Sequence, residues 1–113
     1  DKKMLEKQSV VKVITSEKLE KTNFPTAKSF ERKLSRKVDN VYHHLGIYCY
    51  RLETLKKFFS FKQSSNEIKK KLEQFRALDN HIKINVALAK ESPIGVDTEE
   101  DFVAIKKIME YKN

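Results

Sequence analysis

Ile82-Lys83-Ile84-Asn85-Val86-Ala87-Leu88-Ala89 is the stretch that decides the fold class. Ile82, Ile84, Val86 and Leu88 alternate with Lys83, Asn85, Ala87 and Ala89, the period of two that sends successive side chains to opposite faces of a strand. Helical patterns flank it. Upstream, Ser64-Ser65-Asn66-Glu67 forms a Ser-x-x-Glu capping box, and Ile68, Leu72, Phe75 and Leu78 line one face of a helix over 66–79, with Asn80 as its left-handed stop. Downstream, after a turn at Ser92-Pro93-Ile94-Gly95, Thr98-Glu99-Glu100-Asp101 opens a helix whose inward face is Phe102, Ile105 and Ile108. Acids in its first turn and Lys106 and Lys107 further along suit the helix dipole. Ile84, Val86 and Leu88 are expected to pack against both helices. A strand between two helices implies an α/β fold.

Working toward the N-terminus, Val41-Tyr42-His43-His44-Leu45-Gly46-Ile47-Tyr48-Cys49-Tyr50 is dense in aromatic and β-branched residues and reads as a central strand, with Gly46 marking close approach by a backbone or ligand. A short helix carrying Leu52, Leu55, Phe58 and Phe59 follows it. Val10, Val11, Val13 and Ile14, interrupted only by Lys12, form a further strand. Thr15 to Asn40 has few apolar anchors beyond Phe24 and Phe30, so an irregular, poorly packed arm with one weak strand near Phe30 is expected. The organisation is therefore a strand plus arm over 1–40 and an α/β unit over 41–113.

Composition narrows the function. The 113 residues contain two glycines, Gly46 and Gly95, so a P-loop or GxGxxG turn is excluded within them. A single cysteine, Cys49, excludes a disulfide framework or multi-cysteine zinc site. No apolar run reaches the ~20 residues of a membrane span, and DKKMLEKQSV lacks a signal-peptide layout, so a cytoplasmic location is expected. The net charge of +8 invites a nucleic-acid module. Its makeup, 20 lysines and 4 arginines, favours a solvated surface over bidentate readout of bases or phosphates.

His43 and His44 are adjacent, so in a strand they face opposite ways and cannot chelate one metal together. Tyr48 shares the face of His44, with Gly46 leaving a shallow gap between them, an arrangement suited to a polar small ligand or to ordinary packing. Glu73 and Gln74 border the apolar stripe of their helix. Asp97 is, from composition alone, either a helix-capping acid or a hard oxygen ligand for Mg²⁺.

HHLGIYCYR (His43 to Arg51), KLEQFRAL (Lys71 to Leu78), INVALAK (Ile84 to Lys90), GVDTEED (Gly95 to Asp101) and VVKVI (Val10 to Ile14) together resemble, in order and spacing, the 3-deoxy-manno-octulosonate cytidylyltransferases, or CMP-Kdo synthetases. The resemblance implies part of a nucleotide-diphospho-sugar-transferase-like, Rossmann-like three-layer fold whose N-terminal nucleotide-binding half is absent from these residues. It implies that CTP and the acidic sugar Kdo are converted to CMP-Kdo and pyrophosphate for lipopolysaccharide synthesis. It assigns Asp97 to Mg²⁺. It assigns His44, Tyr48, Glu73 and Gln74 to the sugar, and Arg32 of Ser29-Phe30-Glu31-Arg32 to its carboxylate. No catalytic residue is assigned. The 1–40 arm is expected to serve a homodimer of the complete enzyme, and the chain alone is expected not to bind CTP productively. The alternatives are an acylneuraminate (sialic acid) cytidylyltransferase, a basic nucleic-acid-binding module, or an inert dimerisation fragment.

Overall fold

Val13 and Ile14 lie in β1 (Lys12–Thr15), whose four residues are all buried, so both of its faces are covered. It is the middle strand of a three-stranded antiparallel sheet with β2 (Ala27–Glu31) and β3 (Val41–His43) on either side. Val13 faces Phe30 in one neighbour and Tyr42 in the other, and the β1–β2 register shifts between Ile14 and Thr15. This computed structural model describes residues 10–90, 96 and 98–112.

The 15–40 arm is better anchored than its composition suggests. β2 is a full partner of β1, and Phe30 is 1% exposed at the centre of a cluster with Val13, Ala27, Leu72 and Phe75. Leu19 is also buried, its N–H donating to the Tyr42 hydroxyl at 2.8 Å. Phe24, at 61% exposure, and most polar residues on either side of β2 fit the expectation of loose packing. Two well-placed apolar residues thus suffice to anchor a polar segment when the backbone joins a sheet edge.

Helices α1 (Leu52–Ser60), α2 (Ser65–Lys70), α3 (Gln74–Asp79) and α4 (Glu99–Lys112) complete the described fold. The capping box at α2 is present in both directions: the Glu67 N–H donates to Ser64 Oγ at 3.3 Å, and the Ser64 N–H donates to Glu67 Oε1 at 3.1 Å. The expected single helix over 66–79 is instead broken at Lys71, which takes a left-handed conformation with φ 56°. The break turns Leu72 and Phe75 together into the core and leaves Ile68 exposed. The stop after α3 is one residue later than expected. His81 (φ 62°) is the left-handed residue, with its N–H on the Leu78 carbonyl and the Ile82 N–H on the Ala77 carbonyl. That pair of bonds is a Schellman motif, and Asn80 supports it through a side-chain bond to the Arg76 carbonyl at 2.6 Å.

Two expected strands are shorter than their composition promised. After His43 the chain leaves the sheet, because Gly46 sits at φ +73°. A Cβ added there would meet nothing within 4 Å, so the glycine serves backbone conformation and not close approach. The 82–89 segment makes one bridge, Thr26 to Asn85. The Ala27 N–H donates to the Ile84 carbonyl and the Val86 N–H to the Pro25 carbonyl, both at 2.8 Å, but Pro25 has no N–H with which to extend the ladder. Ile84 and Val86 pack on the core cluster, whereas Leu88 is exposed. No described helix is long and apolar enough to cross a membrane.

Candidate functional site

His44 directly follows β3, its N–H held by the Val11 carbonyl at 2.9 Å. Its ring stands edge-on to Phe30, centroids 5.0 Å apart, and packs against Tyr48 at 5.4 Å. The His44–Tyr48 neighbourhood read from a strand is therefore real, although a loop turned by Gly46 produces it. The aromatic series continues from Tyr48 to Tyr50 (6.0 Å) and from Tyr50 to Phe58 on α1 (6.0 Å).

Glu73 is the residue before α3, and Gln74 is its first residue, mostly buried. The Lys71 break orients this pair, since an unbroken helix would carry positions 73 and 74 onward around the same spiral. The Glu73 carboxylate acts on both tyrosines: burial raises the phenol pKa of Tyr48, with Tyr50 and Glu73 adding to the shift, and Tyr50 is raised by burial and then by Glu73. Burial, with a smaller contribution from His43, holds His44 below its ordinary value. Burial thus favours the neutral imidazole of His44 and the neutral phenols of Tyr48 and Tyr50.

Arg32 is exposed, and its guanidinium donates to the Lys71 carbonyl at 3.3 Å, so it reaches the helix break that precedes Glu73. Beneath it, Lys12 is 1% exposed and its ammonium donates to the Arg32 carbonyl. Burial and then the charge of Arg32 lower its pKa. An open groove of about 380 Å³ is lined by Glu31, Arg32, Lys33, Lys69, Lys70 and Leu72, and another of about 340 Å³ includes Glu67, Lys71 and Glu73. His44 and Tyr48 line neither.

The structure therefore places His44 against Tyr48, sets Glu73 within electrostatic reach of Tyr48, and links Arg32 to the same helix junction. Asp97 lies outside the described residues. Among the described residues no three His, Cys, Asp or Glu side chains converge on a metal-sized site. The sequence reading missed Lys12, whose position inside a β-branched run was its signal, and the Glu67–Arg76 pair. Glu67 was legible only as a cap. It also accepts from Arg76 Nε at 2.9 Å and Nη2 at 2.6 Å, which holds its carboxyl below the usual range against the opposing effect of burial.

What the chain can do chemically is bind: it offers mixed donors and acceptors on a rigid aromatic base, with a guanidinium nearby for an anion. By fold it is a small α/β unit that corresponds throughout its length to part of a solved CMP:2-keto-3-deoxy-manno-octonic acid synthetase complexed with CTP. The TM-score is 0.75 at 25% identity, over 100% of this chain and 46% of that one. In sequence it is homologous to 3-deoxy-manno-octulosonate cytidylyltransferases, 51% identical to that of Bartonella tribocorum over 69 residues and 46% identical to that of Rhodospirillum rubrum over 68. These alignments take in 61% and 60% of this chain but 28% and 27% of the relatives, so the chain spans well under half of the proteins it matches. No family model matches it.

Proposed function

We propose that this chain is the sugar-acid-holding part of a cytidylyltransferase that makes CMP-Kdo and pyrophosphate from CTP and 3-deoxy-manno-octulosonate. The observation that carries the reading is the contact of His44 with Tyr48, with Glu73 in electrostatic reach, in a chain homologous to enzymes of that name. In the reaction the anomeric hydroxyl of Kdo attacks the α-phosphorus of CTP, and pyrophosphate leaves with the electrons of the broken P–O bond. The residues here bind and orient. Glu73 accepts from sugar hydroxyls, Tyr48 and His44 supply neutral hydrogen-bonding groups, Gln74 offers its amide, and Arg32 turns from the Lys71 carbonyl to the sugar carboxylate. Holding the nucleophile in line with the phosphorus lowers the entropic part of the barrier.

Magnesium belongs to the same proposal through Asp97, carried by the GVDT likeness. The ion would offset charge developing on the phosphates. Association through the 1–40 arm and a cytoplasmic location are likewise proposed. The binding reading is tested by calorimetric titration of the chain with Kdo, N-acetylneuraminate and a neutral hexose. Kdo binding tighter than either competitor is expected. Preference for N-acetylneuraminate would transfer the chain to the sialic-acid-activating relatives, and equal response to all three would remove the sugar-acid reading.

A further inference from the structure

We infer that Arg76 is a positioning residue that fixes the Tyr48–Tyr50 pair through Phe58, an assignment whose functional part rests on the sugar-acid reading above. The series of contacts can be followed step by step. Phe75 meets Phe30 at 6.4 Å, Phe30 meets His44 at 5.0 Å, His44 meets Tyr48, Tyr48 meets Tyr50, and Tyr50 meets Phe58. The Arg76 guanidinium then lies 4.7 Å from the centroid of Phe58, and the α3 backbone joins Arg76 to Phe75, so the two ends of the series share one helix.

Arginine suits this position for two reasons. Its planar fork matches the Glu67 carboxylate through two parallel bonds, and its flat face stacks on an aromatic ring at the same time. Glu67 is fixed in turn by the Ser64 cap, so the guanidinium is anchored to the start of α2 while it presses on α1. Phe58 is buried, whereas Tyr48 and Tyr50 are more than a third exposed. Tyr50 packs directly on Phe58 and Tyr48 on Tyr50, so the orientation of Phe58 is passed to the pair. Glu73, whose carbonyl accepts from the Arg76 N–H at 2.9 Å, also contributes to the raised pKa values of both tyrosines and of Arg76.

The test uses the 113-residue chain labelled in its tyrosine and phenylalanine rings. Arg76→Lys keeps the charge and loses both the fork and the stack. It is expected to shift the ring resonances of Tyr50 and Tyr48 and to weaken Kdo binding at least tenfold. Leu19→Ala, a buried change in the arm, serves as the stability control. It should lower the melting temperature without moving those resonances. Unmoved Tyr48 and Tyr50 signals in Arg76→Lys, or equal movement in Leu19→Ala, would overturn the assignment. If Arg76→Lys does not fold, Glu67→Gln, which removes the charge from the fork and leaves the stack, should give smaller shifts of the same rings, and their absence would overturn it too. A wild-type chain that takes up no Kdo removes the sugar-acid reading, and the ring shifts alone then decide the role of Arg76.

Discussion

Phe75 and Phe102 occupy equivalent positions in two amphipathic patterns, yet one is buried in the core and the other is 50% exposed. The α2–α3 pair is broken at Lys71 so that Leu72 and Phe75 reach Phe30 and Val13. Helix α4 is longer and well capped, the Asp101 N–H on Thr98 Oγ1 at 3.1 Å and the Thr98 N–H on Asp101 Oδ2 at 3.2 Å, but Phe102, Val103, Ile108 and Met109 are all exposed. An apolar stripe therefore states that a face suits burial. It does not state that the covering surface lies in the same stretch of chain. The start of each helix, being local, was legible, although in α4 the cap is Thr98.

The contrast breaks most clearly under truncation. Phe30→Ala should cost about 3–5 kcal/mol in urea unfolding, the usual range for a fully buried aromatic, whereas Phe102→Ala should cost no more than about 0.5 kcal/mol. A similar loss at both sites would mean that α4 packs as tightly as the sheet. Next in size, Gly46→Ala should lose about 1–2 kcal/mol by chemical denaturation, because a Cβ is strained at φ +73° even where space is open. An unchanged midpoint would show that the loop adjusts freely. Smaller again, Ser64→Ala should cost about 1 kcal/mol by removing the acceptor for the Glu67 N–H.

Acid should act on the core side of the comparison in two stages. The folded pKa of His44 is depressed by burial, so its neutral form stabilises the fold. That contribution is complete above the ordinary value of 6.5 and is lost as pH falls from there through the folded value. The Glu67 carboxyl, depressed chiefly by its bond to Arg76, adds a second loss that begins near 4.5 and completes below its folded value. Melting curves against pH should show the first step shrink in His44→Phe, with His43 supplying the remainder, and the second shrink in Glu67→Gln. A pH profile unaltered by either change would contradict these assignments.

How much of this was legible follows the range of the interactions. The β1 strand, helix α1, the Ser64 cap, the start of α4 and the α/β class were readable because each depends on neighbours in sequence. The helix break at Lys71 was not, since no glycine marks it and the inward turn of Leu72 toward the sheet compels it. The 82–89 pattern indicated which side chains face inward, correctly for Ile84 and Val86. It could not indicate that a proline in the neighbouring segment limits the ladder to one bridge. At the site, His44 and Tyr48 were paired correctly through incorrect strand geometry. Arg76 was invisible because its partners Glu67 and Phe58 come from two other helices.

Whether His44 and Tyr48, with Glu73 and Gln74 at the start of α3, hold a sugar acid is decided by mapping amide shifts of the chain as Kdo is added. Saturable shifts are expected at residues 44–50 and 71–76 and at Arg32, abolished by Glu73→Gln, with α4 unaffected. Shifts confined to α4, or spread evenly over the lysine-rich surface and insensitive to Glu73→Gln, would contradict the sugar-acid reading.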